Sequence, residues 1–145
     1  MVLEVNPVAA GEKRLDLANL PGDSRLYRKH FLGLDGLGIR DLMVDGQDLL
    51  VLAGPTMDLD GPVHLYRWRD ALKVDRETVV GAKELGRPMA LPYGRGVDHA
   101  EGICLLPKAA RGGDKAAKLL VLYDSPAAKR LKGNDILADI FPLEV

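Results

Sequence analysis

The chain has 145 residues, with 20 Lys and Arg against 21 Asp and Glu, a net charge of -1 and a single cysteine. This length suits one domain with a real core, and the balanced charge excludes the basic surface typical of nucleic-acid-binding proteins. The lone Cys104 excludes an internal disulfide, and its apolar neighbours predict a small buried residue there. The sequence contains neither a secretory leader nor an apolar run of roughly 20 residues, so we expect a cytoplasmic protein without membrane contact.

The N-terminal part of the chain predicts separate strands joined by turns. Residues 1–5 alternate weakly, and the Asn6-Pro7 pair that follows is typical of a turn, so the first strand is expected to end there. Residues 24–34 alternate over a longer stretch and predict a second strand.

Residues 39–68 form the first of two similar segments. Apolar runs at 39–44 and 49–56 flank Asp45-Gly46, which is the strongest short signal for a β-hairpin in this chain. Residues 63–68 then alternate cleanly and predict a third strand. The segment therefore predicts a three-stranded meander.

Residues 100–141 repeat the same order. Apolar runs at 100–106 and 119–126 correspond to the first two strands, and 136–141 predicts the third. A longer polar loop at 107–118 takes the place of the tight turn, which is a kind of variation that exposed loops tolerate.

No segment has a helical period, so the chain is predicted to be all-β. Two meanders at this spacing predict a β-propeller-like fold of repeated meander blades. The chain would supply about two blades plus a strand of a preceding one. Residues 1–145 are then one propeller-like unit and part of a larger propeller. Within it, 1–36 form the end of a preceding blade and a connector, 37–86 the first full module, and 87–145 the second. The pattern at 69–86 fits either a strand or a short helix.

A long string at residues 38–68, GIRDLMVDGQDLLVLAGPTMDLDGPVHLYRW, is far more specific than any short motif. Together with residues 27–31, 91–103 and 122–126, it resembles a bacterial family catalogued as domain of unknown function 3616. The resemblance implies a β-propeller-like fold and no established activity. It also implies that family members are about twice as long, so this chain corresponds to their C-terminal half.

The expected shortage of blades has a consequence for partners. A blade buries its faces against its neighbours, so two blades alone leave sheet faces and edges bare. We therefore expect self-association, either as a homo-oligomer or with a missing N-terminal half.

Polar residues near the start of each module's first strand are the candidate site, because the first strand of a propeller blade lines the central channel. The ligand-binding candidates are Arg40, Asp41, Arg95, Asp98, His99 and Glu101. Asp41 and Glu101 are expected at equivalent positions of the two modules, where their carboxylates could bind Ca²⁺ or Mg²⁺. His99 beside a carboxylate could instead act as a general acid or base. In a purely structural alternative, Asp41 caps nearby backbone and Arg40 pairs with it or with Asp98.

Three functions stay open on this pattern. The leading one is a ligand- or metal-binding module whose central channel takes a small molecule. The second is a divalent-metal-dependent hydrolase of a phosphoester, ester or lactone, with unknown catalytic residues. The third is a structural or protein-interaction scaffold whose channel charges fix the register of the strands. Only the second is an enzyme, so the sequence leaves enzymatic activity open.

Overall fold

The computed structural model describes residues 1–57, 59–111 and 116–145, and β-strands dominate this part of the chain. The all-β prediction is confirmed. The thirteen strands formed by the described residues are β1 (Val2–Ala9), β2 (Leu15–Ala18), β3 (Tyr27–Leu32), β4 (Gly38–Asp45), β5 (Asp48–Gly54), β6 (Val63–Trp68), β7 (Thr78–Val80), β8 (Met89–Leu91), β9 (His99–Leu105), β10 (Lys118–Asp124), β11 (Leu131–Lys132), β12 (Asp135–Ile136) and β13 (Asp139–Pro142).

Helical structure in the same residues is short. It consists of the α-helix α1 (Ala82–Leu85) and the 3₁₀ turns Ala71–Lys73, Lys108–Arg111 and Ala128–Arg130. No helix in these residues has the length and apolar character needed to cross a membrane.

The first sheet has the strand order β2-β1-β3-β7. The first half of β1 pairs antiparallel with β3, its second half pairs antiparallel with β2, and β7 runs parallel to β3. The prediction that the first strand ends at Asn6-Pro7 is wrong, because β1 continues through Pro7, which lies opposite Leu17. A strand accepts proline where its ladder needs no N–H from that residue.

The second sheet has the order β4-β5-β6-β8 and contains the first predicted meander. The predicted hairpin is confirmed, since Asp45 pairs with Asp48 and Gly46 takes a φ of 64°, which glycine reaches without steric cost. Residues 69–86 contain both predicted alternatives, because they form a 3₁₀ turn, the strand β7 and the helix α1. The strand β8 completes the second sheet and lies beyond the expected module boundary at residue 86.

The third sheet has the order β13-β10-β9, and β11 pairs with β12 in a small separate hairpin. The predicted third strand at 136–141 begins later than expected, because Ile136 ends β12 and the sheet resumes only at β13. In the predicted loop at 107–118, residues 108–111 form a 3₁₀ turn, and residues 112–115 lie outside the described residues. The prediction that Cys104 is buried is wrong, since strand alternation places it on the outer face of this sheet, where it is exposed.

The second sheet lies between the other two, and its strand β5 is buried on both faces. One face of β5 presents Leu50, which shares a core with Leu119 of the third sheet. The opposite face presents Val51, which shares a second core with Val80 of the first sheet. A strand buried on both faces reads as an unbroken apolar run, which explains the Leu-Leu-Val-Leu pattern of β5. The described residues form a stack of open sheets without a closed ring, so the propeller arrangement stays a prediction.

Candidate functional site

The first strands of the two predicted modules, β4 and β9, lie side by side where the second and third sheets meet. Each is at the edge of its own sheet, and side chains of β4 accept hydrogen bonds from the backbone of β9. Asp41 Oδ2 accepts the Ile103 N–H at 2.8 Å, and Met43 Sδ accepts the Leu105 N–H at 3.2 Å. The site candidates on these two strands are therefore close neighbours.

The same irregularity of pairing occurs in both strands. In β4 the ladder passes from Ile39 directly to Asp41, which leaves Arg40 as an extra, bulged residue. In β9 the ladder leaves out Glu101 in the same way. When the strands are aligned on their partners, Glu101 corresponds to Arg40, and Asp41 corresponds to Gly102. The expectation that Asp41 and Glu101 are equivalent is thus wrong by one residue.

Arg40 and Glu101, which we call the bulge pair, form an ion pair between the two sheets. Arg40 Nη1 contacts Glu101 Oε1, and Arg40 Nη2 donates to the carbonyl oxygen of Pro55. The Arg40 side chain is only 12% exposed, whereas that of Glu101 is 38% exposed. β-bulges redirect side chains and are common beside functional sites. Here two bulges direct side chains of opposite charge at each other.

A cleft of about 280 Å³ opens beside the bulge pair. We call it the bulge cleft, and its lining is Gly38, Ile39, Arg40, Pro55, Thr56, Met57 and Glu101. The loop between β5 and β6 therefore forms one wall and the two bulged residues form the other. A cleft of this size suits a molecule of few non-hydrogen atoms.

Asp41 is occupied by backbone contacts. Its Oδ1 accepts the N–H of Leu42 at 2.8 Å while its Oδ2 accepts the N–H of Ile103. This is the backbone-capping role that the structural alternative assigned to it, extended to a neighbouring sheet. No group of three or more His, Cys, Asp or Glu side chains among the described residues is arranged to hold a metal ion.

His99 belongs to a second polar group at the loop between β5 and β6. His99 Nε2 lies 3.1 Å from Asp60 Oδ1, which also accepts the Gly96 N–H at 2.7 Å. These contacts hold the pKa of the Asp60 carboxyl below its usual range, and the exposed Arg95 adds a smaller electrostatic contribution in the same direction. Asp60 was not among the sequence candidates, because in Asp60-Gly61-Pro62 an aspartate reads as a turn residue.

Asp98 lies in a separate, buried network at the start of the third sheet. Its Oδ1 accepts the Ala127 N–H and the Arg130 Nε–H, both at 2.8 Å. Arg130 also donates to Asp139 at 2.7 Å and stacks over the Tyr123 ring, with its guanidinium carbon 4.0 Å from the ring centre. Burial opposes ionisation of Asp98, but these donors outweigh it and hold the pKa of its carboxyl below the usual range.

A largely apolar cavity of about 210 Å³ lies on the other side of the second sheet, lined in part by Trp68, His30 and Glu4. His30 is buried, and its Nε2 lies 3.2 Å from Glu4 Oε2. Glu4 also accepts a hydrogen bond from the buried Arg28 at 2.9 Å. His30 packs edge-on against Trp68, with ring centres 5.2 Å apart. This group holds the first sheet against the second.

The sequence candidates thus separate into three places. Arg40 and Glu101 line the bulge cleft, while the neighbouring Asp41 binds backbone N–H groups of β4 and β9. Arg95 and His99 gather around Asp60, and Asp98 lies in the Arg130 network. The first group combines opposite charges, partial exposure and an open cleft. The Arg130 network also borders an open cleft, lined in part by Arg130 and Asp139, but the side chains of Asp98 and Arg130 are both buried.

Comparison with known proteins identifies the family. A family model described as a protein of unknown function (DUF3616) matches residues 1–139 of the 145. The chain therefore belongs to that family, as its sequence resemblance indicated. No curated protein and no solved structure matches it.

Proposed function

We propose that this member of the DUF3616 family is a binding module for a small acidic molecule held in the bulge cleft. The observation that carries the proposal is the bulge pair itself. Two neighbouring strands each place one charged residue outside their ladder, and the two residues meet at the wall of the same cleft. The expected ligand has a carboxylate or phosphate group for Arg40 and a hydrogen-bond donor for Glu101.

Arg40 has the capacity to bind an anion in addition to its present partners. A guanidinium carries five N–H donors in a fixed fork, and Arg40 uses only part of that fork on Glu101 and Pro55. Such a fork matches the two oxygens of a carboxylate or phosphate, and partial burial strengthens the resulting hydrogen bonds. Because Glu101 is the more exposed partner, it can turn away from Arg40 to accept a donor of the ligand.

The test is isothermal titration calorimetry with inorganic phosphate, glycolate and glycine as probes, after a thermal-shift screen. Phosphate presents mainly anionic oxygens to Arg40, whereas glycine adds an ammonium group whose hydrogen bond Glu101 can accept. Arg40→Lys keeps the charge and loses the fork, so we expect every probe to bind about tenfold more weakly, or about 1.4 kcal/mol. Glu101→Gln is expected to weaken glycine and to tighten phosphate, because it removes both a competitor for Arg40 and a repelling charge.

The matched control is Arg14→Lys, since Arg14 forms an exposed ion pair with Asp16 far from the cleft in sequence. That variant should bind all probes as the wild type does. Lack of binding by the wild type, or equal binding by the wild type and Arg40→Lys, would refute the proposal.

The metal-binding form of the proposal has its own arm in this experiment. Ca²⁺ and Mg²⁺ would need oxygen ligands from Asp41 and Glu101, and both Asp41 oxygens already accept backbone N–H groups. If a divalent ion belongs here, it should raise the melting temperature of the wild type, and Asp41→Asn and Glu101→Gln should abolish that rise. The hydrolase hypothesis would need, beyond this, turnover of phosphoester, ester or lactone substrates that both variants lose.

The scaffold alternative draws on a different observation, the buried network around Arg130. Asp98, Arg130 and Asp139 join three separate segments of the chain by hydrogen bonds of 2.7 and 2.8 Å. If the polar residues of this protein serve only to fix the strands, changes at Asp98 and at Arg40 should both destabilise the fold and neither should affect binding of the probes.

A further inference from the structure

The cavity between the first and second sheets combines apolar walls with one polar side, and we call it the Trp68 cavity. Leu42, Leu49 and Trp68 are among its apolar residues, and Glu4 and His30 form the polar side. Its volume is about 210 Å³. An apolar cavity of about 150 Å³ holds benzene, so this one suits an occupant of about eight non-hydrogen atoms.

His30 has one ring nitrogen without a partner. Its side chain is only 4% exposed, and its Nε2 lies 3.2 Å from Glu4 Oε2. A carboxylate only accepts hydrogen bonds, so in the neutral ring Nε2 carries the proton and Nδ1 is an acceptor. Nδ1 is buried and has no hydrogen-bond partner among the described residues. A buried acceptor of this kind is costly to leave unpaired, so the polar side of the cavity favours an occupant with a hydrogen-bond donor.

The charges behind this polar side balance. Glu4 Oε1 accepts a hydrogen bond of 2.9 Å from Arg28, whose Nε donates to Asp23 at 3.2 Å. Asp23 also forms an ion pair of 2.8 Å with Arg25. Two carboxylates are thus matched by two guanidinium groups. A charged occupant would lose its hydration without meeting a free counter-ion, so the arrangement favours a neutral one.

We infer that the Trp68 cavity binds a small neutral hydroxyl compound with an apolar body, whose hydroxyl donates a hydrogen bond to His30 Nδ1. The apolar body fills the space beside Trp68 and Leu49, and the hydroxyl supplies the donor that Nδ1 lacks. Because Nδ1 is buried, the imidazole ring turns toward the cavity on binding, and the broad χ2 torsion of histidine permits such a turn. This site is separate from the bulge cleft and does not depend on the function proposed for it.

Trp68 makes binding measurable, because it is the single tryptophan of the chain and its ring centre lies 5.2 Å from that of His30. The probes are benzyl alcohol, toluene and benzoate, which share a ring and differ in the hydroxyl and the charge. At about pH 8, where histidine is ordinarily neutral, benzyl alcohol should change the Trp68 fluorescence saturably. It should bind about tenfold more tightly than toluene, because it adds one buried hydrogen bond, and benzoate should not bind. A purely apolar cavity would favour toluene instead.

Two variants separate the hydrogen bond from the space. His30→Phe keeps a ring of similar size and removes Nδ1, so benzyl alcohol should bind about tenfold more weakly while toluene binds as it does to the wild type. Ala71→Leu fills the cavity from the first residue of a 3₁₀ turn, so both probes should lose their binding. Ala128→Leu is the matched control, because Ala128 is the exposed first residue of another 3₁₀ turn and does not line the cavity. It should bind both probes as the wild type does.

A measurement on the wild type keeps the inference testable if His30→Phe does not fold. The ¹⁵N resonance of His30 Nδ1 should shift on addition of benzyl alcohol and stay in place with toluene, since only the alcohol donates a hydrogen bond to it. Three results would overturn the inference: no saturable response to benzyl alcohol, tighter binding of toluene than of benzyl alcohol, or a Nδ1 resonance that benzyl alcohol leaves unchanged. Equal binding of benzyl alcohol by folded His30→Phe and the wild type would do so as well.

Discussion

Replacing Asp98 by Asn should destabilise the protein by about 2 kcal/mol, in line with the 1.5–3 kcal/mol of a hydrogen bond to a charged group. The side chain of Asp98 is buried, and its carboxylate accepts two hydrogen bonds of 2.8 Å, one of them from Arg130. Asn keeps the shape and tolerates the φ of 56° at this position, so the change removes the charge with little backbone strain. Asp98→Ala should cost about 3 kcal/mol, at the low end for a broken buried pair, because Asp139 remains as a partner of Arg130.

Urea unfolding monitored by circular dichroism measures this effect at one fixed protein concentration, since any association shifts the transition. A double-mutant cycle with Arg130→Met isolates the pair, and its coupling energy should lie between about 1 and 3 kcal/mol. Asp16→Asn is the control, because the Arg14–Asp16 pair is exposed and should contribute less than about 1 kcal/mol. An Asp98→Asn variant as stable as Asp16→Asn would refute the assignment of Asp98 to a structural network.

Two further predictions concern pH and the core. The pKa of Asp98 and that of Asp139 are lowered in the folded protein, so both carboxylates stabilise the fold above the unfolded pKa of about 3.9, and this stabilisation is lost as the pH falls through the lower folded values. The urea concentration at the unfolding midpoint should therefore decrease as the pH is lowered past about 4, and it should decrease less steeply in Asp139→Asn. Equal slopes in the two proteins would contradict this prediction. Leu50→Ala should cost about 2–5 kcal/mol, because Leu50 is fully buried between the second and third sheets, and a urea midpoint within error of wild type would contradict the stacked arrangement.

The sequence predicted the strands well where apolar alternation and turn residues agree. The hairpin at Asp45-Gly46 and the strand at Val63–Trp68 were located closely for that reason. Pairing across the sheets could not be predicted in the same way. The strand β7 leaves the predicted first module and pairs with the first sheet, and β1 continues through Pro7, because ladder partners decide these features and local composition does not.

The sequence placed the candidate residues Arg40 and Glu101 on two separate strands, and their position relative to each other within those strands was predicted wrongly. Arg40 and Glu101 look like ordinary strand residues, because a bulge is a property of the register between two strands and leaves no mark in a single sequence. The one-residue shift turned an expected pair of carboxylates into an ion pair. Asp60 was missed because it contacts His99 across 39 residues of chain, a separation that no short motif records.

The central claim is that the bulge cleft binds an acidic molecule through Arg40, and the most direct test locates the binding by NMR. Glycolate would be titrated into ¹⁵N-labelled protein while the backbone amides and the Arg40 Nε–H are followed. The account predicts saturable shifts at Arg40 Nε–H and at the amides of Ile39, Thr56 and Glu101, all of which line the cleft. Shifts centred instead on Arg130, or no saturable shift at Arg40, would contradict it.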